Sequence, residues 1–204
     1  MKEISNSIIL ASNNVHKINE IKEILEAFEF RVISLSEAGI NVEIEEDGKT
    51  FEENAYKKAR AIMDLTGQAS LGDDSGLEVY ALNGAPGVYS ARFSGEHGNT
   101  RKNNEKLLEL MKDVPDNNRG ARFVSSIVLI FPDGREIKVE GYVEGVIGYE
   151  ENGRGGFGYD PLFFVPKLNR TFAQLDSIEK NAISHRGEAL KLLRKKLKEL
   201  ELFL

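Results

Sequence analysis

Ile8, Ile9, Leu10 and Ala11 form an apolar run, polar Ser12, Asn13 and Asn14 follow, and Ile18, Ile21, Leu25 and Phe28 then recur at helical spacing. This change of period predicts a buried strand, a turn and an amphipathic helix over 15–28. A second strand is expected at 31–35, ahead of an acidic stretch, Glu43-Ile44-Glu45-Glu46-Asp47-Gly48. Thr50 with Glu53 three residues later has the form of a capping box. Ala55, Ala59, Ile62 and Met63 give the helix it opens an apolar face, and Gly67 ends it. Residues 69–71 read as a strand that runs into Gly72-Asp73-Asp74-Ser75-Gly76. Small residues around two acids read as a turn. Asp73 and Asp74 are therefore expected at the carboxyl end of that strand, where open α/β sheets receive their ligands.

Further on, Gly84-Ala85-Pro86-Gly87 predicts a rigid turn, and 100–111 a helix packed through Leu107, Leu108 and Met111. Two long strands, 121–131 and 136–146, flank Pro132-Asp133-Gly134, the turn chemistry of an antiparallel hairpin. A glycine-rich loop over 150–158 leads to a strand at 162–165. Leu190, Leu193, Leu197 and Leu200 line one face of a closing helix, with Lys191, Arg194, Lys195, Lys196 and Lys198 on its solvated side. The whole pattern predicts an α/β protein, a mixed twisted central sheet flanked by helices, in a single domain over 1–204.

Composition narrows the chemistry. The 204 residues, 41% of them hydrophobic, suffice for a well-buried core. A formal charge of -6 argues against general affinity for nucleic acid, which needs a basic patch, so any bound anion must meet local cations. The absence of cysteine excludes disulfides and thiolate chemistry, and the scattered His16, His97 and His185 do not suggest a transition-metal cluster. The amino terminus lacks the charged-then-apolar order of a signal peptide, and no apolar run approaches the length of a membrane span. A cytoplasmic protein without a membrane partner is expected.

Asp73 and Asp74 carry the strongest chemical signal. Adjacent carboxylates repel and raise one another's proton affinity, whereas a hard ion such as Mg2+ prefers carboxylate oxygens and leaves room for substrate phosphates. Glu45 or Glu46 would add a further carboxylate. Ser12-Asn13-Asn14-Val15-His16-Lys17 lies where the first strand hands over to its helix. A helix amino terminus with a lysine beside it suits a phosphate, while plain capping by Ser12 or Asn14 is the simpler alternative. In Gly155-Gly156-Phe157-Gly158-Tyr159-Asp160-Pro161 the glycines clear both sides of a ring, as a stacked nucleobase requires, or let the ring plug its own loop. Lys180 precedes Ser184, a capping residue, which places His185 and Arg186 in the first turn of the last helix. Cations there oppose the helix dipole, and make sense with an anion or polar ligand in front of them or with surface acids around them.

In order along the chain, Ser12-x-Asn14-x-x-Lys17-x-x-Glu20, Asp73-Asp74-Ser75-Gly76-Leu77 with Gly84 to Arg92, Gly156 to Pro161, and Ser184-His185-Arg186 resemble the inosine triphosphate pyrophosphatase family, also called Ham1-like. The resemblance covers nearly the whole chain. It implies two lobes around a nucleotide cleft, Mg2+ as cofactor, a homodimer, and cleavage of inosine, deoxyinosine or xanthosine triphosphate (ITP, dITP, XTP) to the monophosphate and pyrophosphate. Such a reaction removes deaminated purines from the nucleotide pool. Carried over by position, it makes Asp74 the metal-linked general base, Glu46 a second metal carboxylate and Asp73 their support. Ser12, Asn14, Lys17 and Lys180 become phosphate contacts. Phe157, Gly158, Tyr159 and Asp160 form the base and sugar pocket, Ser75 joins the substrate contacts, and His185 and Arg186 read the purine. Since arginine only donates hydrogen bonds, Arg186 at the purine 6-position would favour an oxygen over an amino group. Asn13 and His16 stand where the family often has glycine, which shifts phosphate binding there from backbone to side chains. Two rival classes are a nucleotide sensor without chemistry, which has no need of Glu46, Asp73 and Asp74, and a phosphatase of different base specificity, which its products would reveal.

Overall fold

The computed structural model describes residues 7–26 and 31–200. Among them, strands β1 (Ser7–Leu10), β2 (Arg31–Ser34), β3 (Ser70–Val79), β4 (Gly120–Ile130), β5 (Glu136–Ile147), β6 (Phe163–Val165) and β7 (Arg170–Thr171) form one sheet in the order β2-β1-β3-β4-β5-β6-β7. β1 is parallel to β2 and β3, with Ile9 opposite Ile33 and Ser70, whereas β6 is antiparallel to β5 and β7. The connections explain the mixture, because parallel neighbours need a crossover and antiparallel ones need only a turn. Helices α1 (Val15–Glu26) and α2 (Phe51–Thr66) return the chain to β2 and β3. Between β4 and β5 the chain reverses through Gly134 N–H to the Phe131 carbonyl at 3.0 Å. Phe28, expected on the first helix, lies outside the described residues.

Residues 70–79 depart from expectation. The string around Asp73 and Asp74 is not a turn after a strand but the middle of a ten-residue strand. The strand lies between β1 and β4, its register with β1 ending at Leu71, and small side chains let it run beneath a helix. Gly72 is where that happens: a Cβ there would overlap the Ala55 carbonyl oxygen and lie 2.9 Å from the Ala59 nitrogen. Only glycine lets the α2 backbone rest directly on β3.

The chain forms two compact units, passing from one to the other after Asp74, Val124, Gly141 and His185. In the first unit, both faces of the strands are apolar, as the continuous run at 127–131 requires. Ile8, Leu10, Ile127 and Leu129 pack with α1 through Ile21 and Leu25, and with helix α5 (His185–Glu199) through Leu190, Leu193 and Leu197. Alternate residues point the other way: Val128 and Ile130 meet Ala55 and Ala59 of α2, while Ile9 and Ala11 meet Ile62 and Leu35. Leu200, read as part of the closing helix, falls beyond it and is exposed. Thr50 caps α2 by accepting the Glu53 N–H. The Glu53 carboxylate takes the N–H of Lys49 rather than that of Thr50, so the capping box is only half formed.

The second unit is built on an aromatic cluster. Phe123 stacks parallel to Phe172 at 5.8 Å and meets Phe163 at 4.7 Å, and helix α3 (Thr100–Met111) adds Leu107 and Met111 to the same core. A short helix absent from the sequence reading, α4 (Ser177–Ile183), is fixed at its start by a reciprocal box between Asp176 and Glu179.

Gly72→Ala is expected to force α2 off β3 and cost roughly 2–3 kcal/mol, an overpacking penalty. Urea unfolding measures it. A loss under about 0.5 kcal/mol would show that the helix shifts freely and that the contact is not constraining.

Candidate active site

Placing the α2 backbone on Gly72 also places two polar residues of α2. Asn54 and Lys58, one turn apart on the same side of the helix, are both buried. Asn54 Nδ2 donates to Asp74 Oδ2 at 3.0 Å, and its Oδ1 accepts the Gly48 N–H at 2.8 Å. One amide thus fixes the acid and the end of the acidic stretch. Along that stretch exposure alternates, with Val42, Ile44 and Glu46 half-buried and Glu43, Glu45 and Asp47 exposed. The choice between Glu45 and Glu46 therefore follows from extended backbone: Val42 and Ile44 pack with Ile9 and Ile62, and a period of two turns Glu46 inward with them. The Lys58 ammonium lies 3.1 Å from Glu46 Oε2 and 3.5 Å from Asp74 Oδ1.

Glu46 and Asp74 also share a hydrogen bond, and their proton affinities separate. Burial dominates for Asp74 and pushes its carboxyl above the usual range against the pull of Lys58 and Lys17, with the Glu46 charge adding to the rise. Burial also acts on Glu46, but Lys58, Lys17 and the hydrogen bond with Asp74 outweigh it and hold that carboxyl low.

Asp73 points to the other face of β3 and is fully enclosed. Its Oδ1 accepts from Ser125 Oγ at 2.6 Å, while Oδ2 lies 3.0 Å from Lys17 Nζ and 3.3 Å from Arg186 Nη2. Arg186 is also fully enclosed, and its Nη1 is ion-paired with Glu20. Burial would raise the Asp73 carboxyl, but Arg186, Lys17 and the Ser125 hydroxyl hold it below the usual carboxylate range. Two carboxylates and two cations thus alternate in one row, Lys17, Asp73, Arg186, Glu20, whose two middle members are fully enclosed and whose ends are half-buried. The Asp73 oxygens are taken by three side chains, and the acids in front of Arg186 are Asp73 and Glu20.

At the start of α1, capping is what Ser12 and Asn14 do: Asn14 Oδ1 accepts the N–H groups of His16 and Lys17 at 3.0 and 3.2 Å, and Ser12 Oγ accepts that of Asn14. Lys17 is the residue there that reaches the acids.

The glycine-rich loop belongs to the second unit. Asp160 is buried, and its Oδ2 accepts the Phe157 N–H at 2.8 Å and the Lys180 ammonium at 2.6 Å. Gly156 makes room for this, since a Cβ there would overlap Asp160 Oδ2. The same ammonium stands 4.7 Å over the Phe157 ring, a cation–π distance, and the ring itself is half-buried. Tyr159 is enclosed and donates to the Ser90 carbonyl at 2.9 Å. The Gly158 carbonyl accepts from Asn104 of α3 at 3.3 Å. Tyr159 and Asp160 thus turn inward and hold the loop, while Phe157 remains its partly exposed side chain. His185 lies parallel to Phe123 at 4.8 Å, and Ser75 is half-buried on β3.

Residues 8–196 match the model of the Ham1 family. The chain belongs to the Ham1 family. It is 56% identical over 196 residues to the dITP/XTP pyrophosphatase of Clostridium perfringens, covering 93% of this chain and 96% of that one. It is 49% identical to the dITP/XTP pyrophosphatase of Haemophilus influenzae, with 93% and 98% covered. The solved Ham1 protein of Staphylococcus aureus superimposes with a TM-score of 0.84 at 44% identity, over 95% of this chain and 98% of that one. The mixed sheet is therefore a Ham1 fold.

Asn54, Lys58 and Ser125 were absent from the sequence reading of this Ham1 chain. Their signal is positional: Asn54 and Lys58 sit beside Ala55 and Ala59 on an otherwise apolar helix face, and Ser125 interrupts an apolar strand. A polar side chain on a buried face needs a partner.

This row predicts a pH dependence. The folded pKa of Asp73 lies below its unfolded value, so the stability it contributes is complete above the ordinary carboxylate range, about pH 5, and is lost as pH falls through about 4 and below. Arg186→Met removes its strongest cation and leaves buried acid uncompensated. The variant should lose about 3–5 kcal/mol at pH 7 and should show a shallower further loss from pH 5 to 3 than the parent chain. Urea unfolding across that range reads both. Equal stability at pH 7 would show that Lys17 alone balances Asp73.

Proposed function

We propose that this protein hydrolyses the triphosphates of deaminated purine nucleosides, dITP, ITP and XTP, to the monophosphate and pyrophosphate. The observation that carries the reading is the Glu46–Asp74 pair bridged by Lys58, with Lys17 close by on Asp73. The names of relatives about half identical over nearly the whole chain support it. As the reaction removes miscoding precursors from the nucleotide pool, we assign the protein to the cytoplasm. Among the described residues no helix is long and apolar enough to cross a membrane.

A divalent cation fits the acids. Among the described residues no three potential ligands converge in a ready-made cage, but Mg2+ is commonly held by one or two carboxylates together with substrate phosphates. Glu46 and Asp74 would hold it, and the ion would neutralise phosphate oxygens and favour attack at phosphorus. The remaining roles belong to the chain. Asp74, its proton affinity raised by burial, accepts the proton of the attacking water as general base. Lys17 supplies positive charge to the phosphates and the departing pyrophosphate. Ser12 and Asn14 serve by capping α1 beneath Lys17. Asp73 holds Lys17 in place and is itself held by Arg186.

For the base, Phe157 offers a stacking face, which tolerates any nucleobase. Selection for a 6-oxo purine falls to the backbone of residues 157–160 and to His185, with Lys180 and Asp160 fixing the loop. Arg186 has no part in it. A homodimer completes the proposal. The exposed Tyr142 and Tyr149 of the second unit, each under an arginine, have the aromatic and arginine character of protein interfaces.

Incubation with ITP and Mg2+ should release inosine monophosphate and intact pyrophosphate, and chelation should stop it. Asp74→Asn should keep the fold and lower kcat about 10^2- to 10^4-fold. Release of inorganic phosphate as the first product would refute the reaction. A separate comparison addresses the base: Phe157→Ala should raise KM for ITP and ATP alike, and Arg186→Met should lower kcat/KM for both by one common factor. A collapse of the ITP-to-ATP ratio in Arg186→Met would return the base-reading role to that arginine.

A further inference from the structure

A cation already bridges the two carboxylates assigned to the metal, and it is the ammonium of Lys58. The side chain is 8% exposed, and its ion-pair partners are Glu46 at 3.1 Å and Asp74 at 3.5 Å. Asp74 and the backbone of the acidic stretch are held by other means. Asp74 accepts from Asn54, Glu46 follows Val42 and Ile44 inward, and the Gly48 N–H ties the end of the stretch to the same Asn54. The Asp74 carboxylate is fixed and the four-carbon stem of lysine is flexible, so the ammonium is the part able to leave.

We propose that Lys58 is the built-in counter-ion of the Glu46–Asp74 pair and is exchanged for a divalent cation when the site loads. An ammonium and a doubly charged ion repel at such short range, and the two acids cannot serve both at full strength. The displaced ammonium then carries its charge to the next anion to arrive, the triphosphate. The exchange makes Lys58 a competitor of the metal and, after release, a partner of the phosphates. It rests on the reading of Glu46 and Asp74 as a divalent-cation site.

Two measurements without substrate test it, using Mn2+ as an oxygen-preferring probe followed by the electron paramagnetic resonance of the free ion. Lys58→Met removes the competitor and should tighten Mn2+ binding on the order of tenfold, within the usual size of coupling between two ligands of one site. In the parent chain, acylation of Lys58 by an amine-reactive reagent, located by mass spectrometry, should speed up several-fold when Mn2+ is added, while exposed Lys195 keeps its rate. The second measurement stands even where the variant fails to fold. Unchanged Lys58 reactivity, or equal or weaker Mn2+ binding by a folded variant, would overturn the exchange and leave the cation site intact. No Mn2+ binding by either chain would overturn the cation site and the exchange together.

Discussion

An ionised carboxylate closed off from water must be balanced by charges that are themselves enclosed, and Asp73 imposes that condition on the first unit. Moving such a group out of water costs several kcal/mol even after relaxation, and the cost is met from three directions at once. α1 brings Lys17, α5 brings Arg186 and β4 brings Ser125. Each of these side chains reaches the same carboxylate, so the helices are fixed around β3 by charge as well as by the leucines and isoleucines below. Apolar contacts alone would tolerate sliding, because they are non-directional. A carboxylate with assigned oxygens does not.

The neighbouring acid meets the opposite demand. Asp74 emerges on the α2 side of β3, where the Gly72 contact sets the height of the helix and hence the reach of Asn54 and Lys58. Here charge balance is incomplete: one ammonium serves two carboxylates. Successive residues of a strand point to opposite faces, so adjacent acids acquire different environments: against the pull of burial, Arg186, Lys17 and Ser125 hold the Asp73 carboxyl below the usual range, whereas burial pushes the Asp74 carboxyl above it. The two adjacent aspartates thus share a sequence position but not a surrounding: one meets α1 and α5, the other α2.

Much of this was legible before the structure. The apolar periods located α1, α2, α3, the hairpin and α5 to within a few residues, because each has a face that must be buried. The acids stand out as chemistry, but their backbone does not: Gly, Asp and Ser favour turns in isolation, and pairing with β4 overrides that preference. Glu46 was recoverable in principle from the alternation Val42, Ile44, Glu46, a strand-like period in a segment without strand partners. Lys58 was harder. Among exposed lysines on amphipathic helices, one turned to the buried side is distinguished only by the alanines beside it.

The aromatic loop shows why motif residues are poor guides to contact. Gly156, Phe157, Tyr159 and Asp160 form a compact signature, yet Asp160 accepts from the Phe157 amide and the Lys180 ammonium, and Tyr159 donates to the Ser90 carbonyl. Losing either partner would strand a buried polar group at a cost of about 1–3 kcal/mol, more where it is charged. Such residues resist change whether or not a ligand ever touches them. The same holds in the first unit for Arg186, whose guanidinium serves Asp73 and Glu20. Asp160, held from behind, in turn sets the Phe157 amide and the Lys180 ammonium side by side, with that ammonium over the ring.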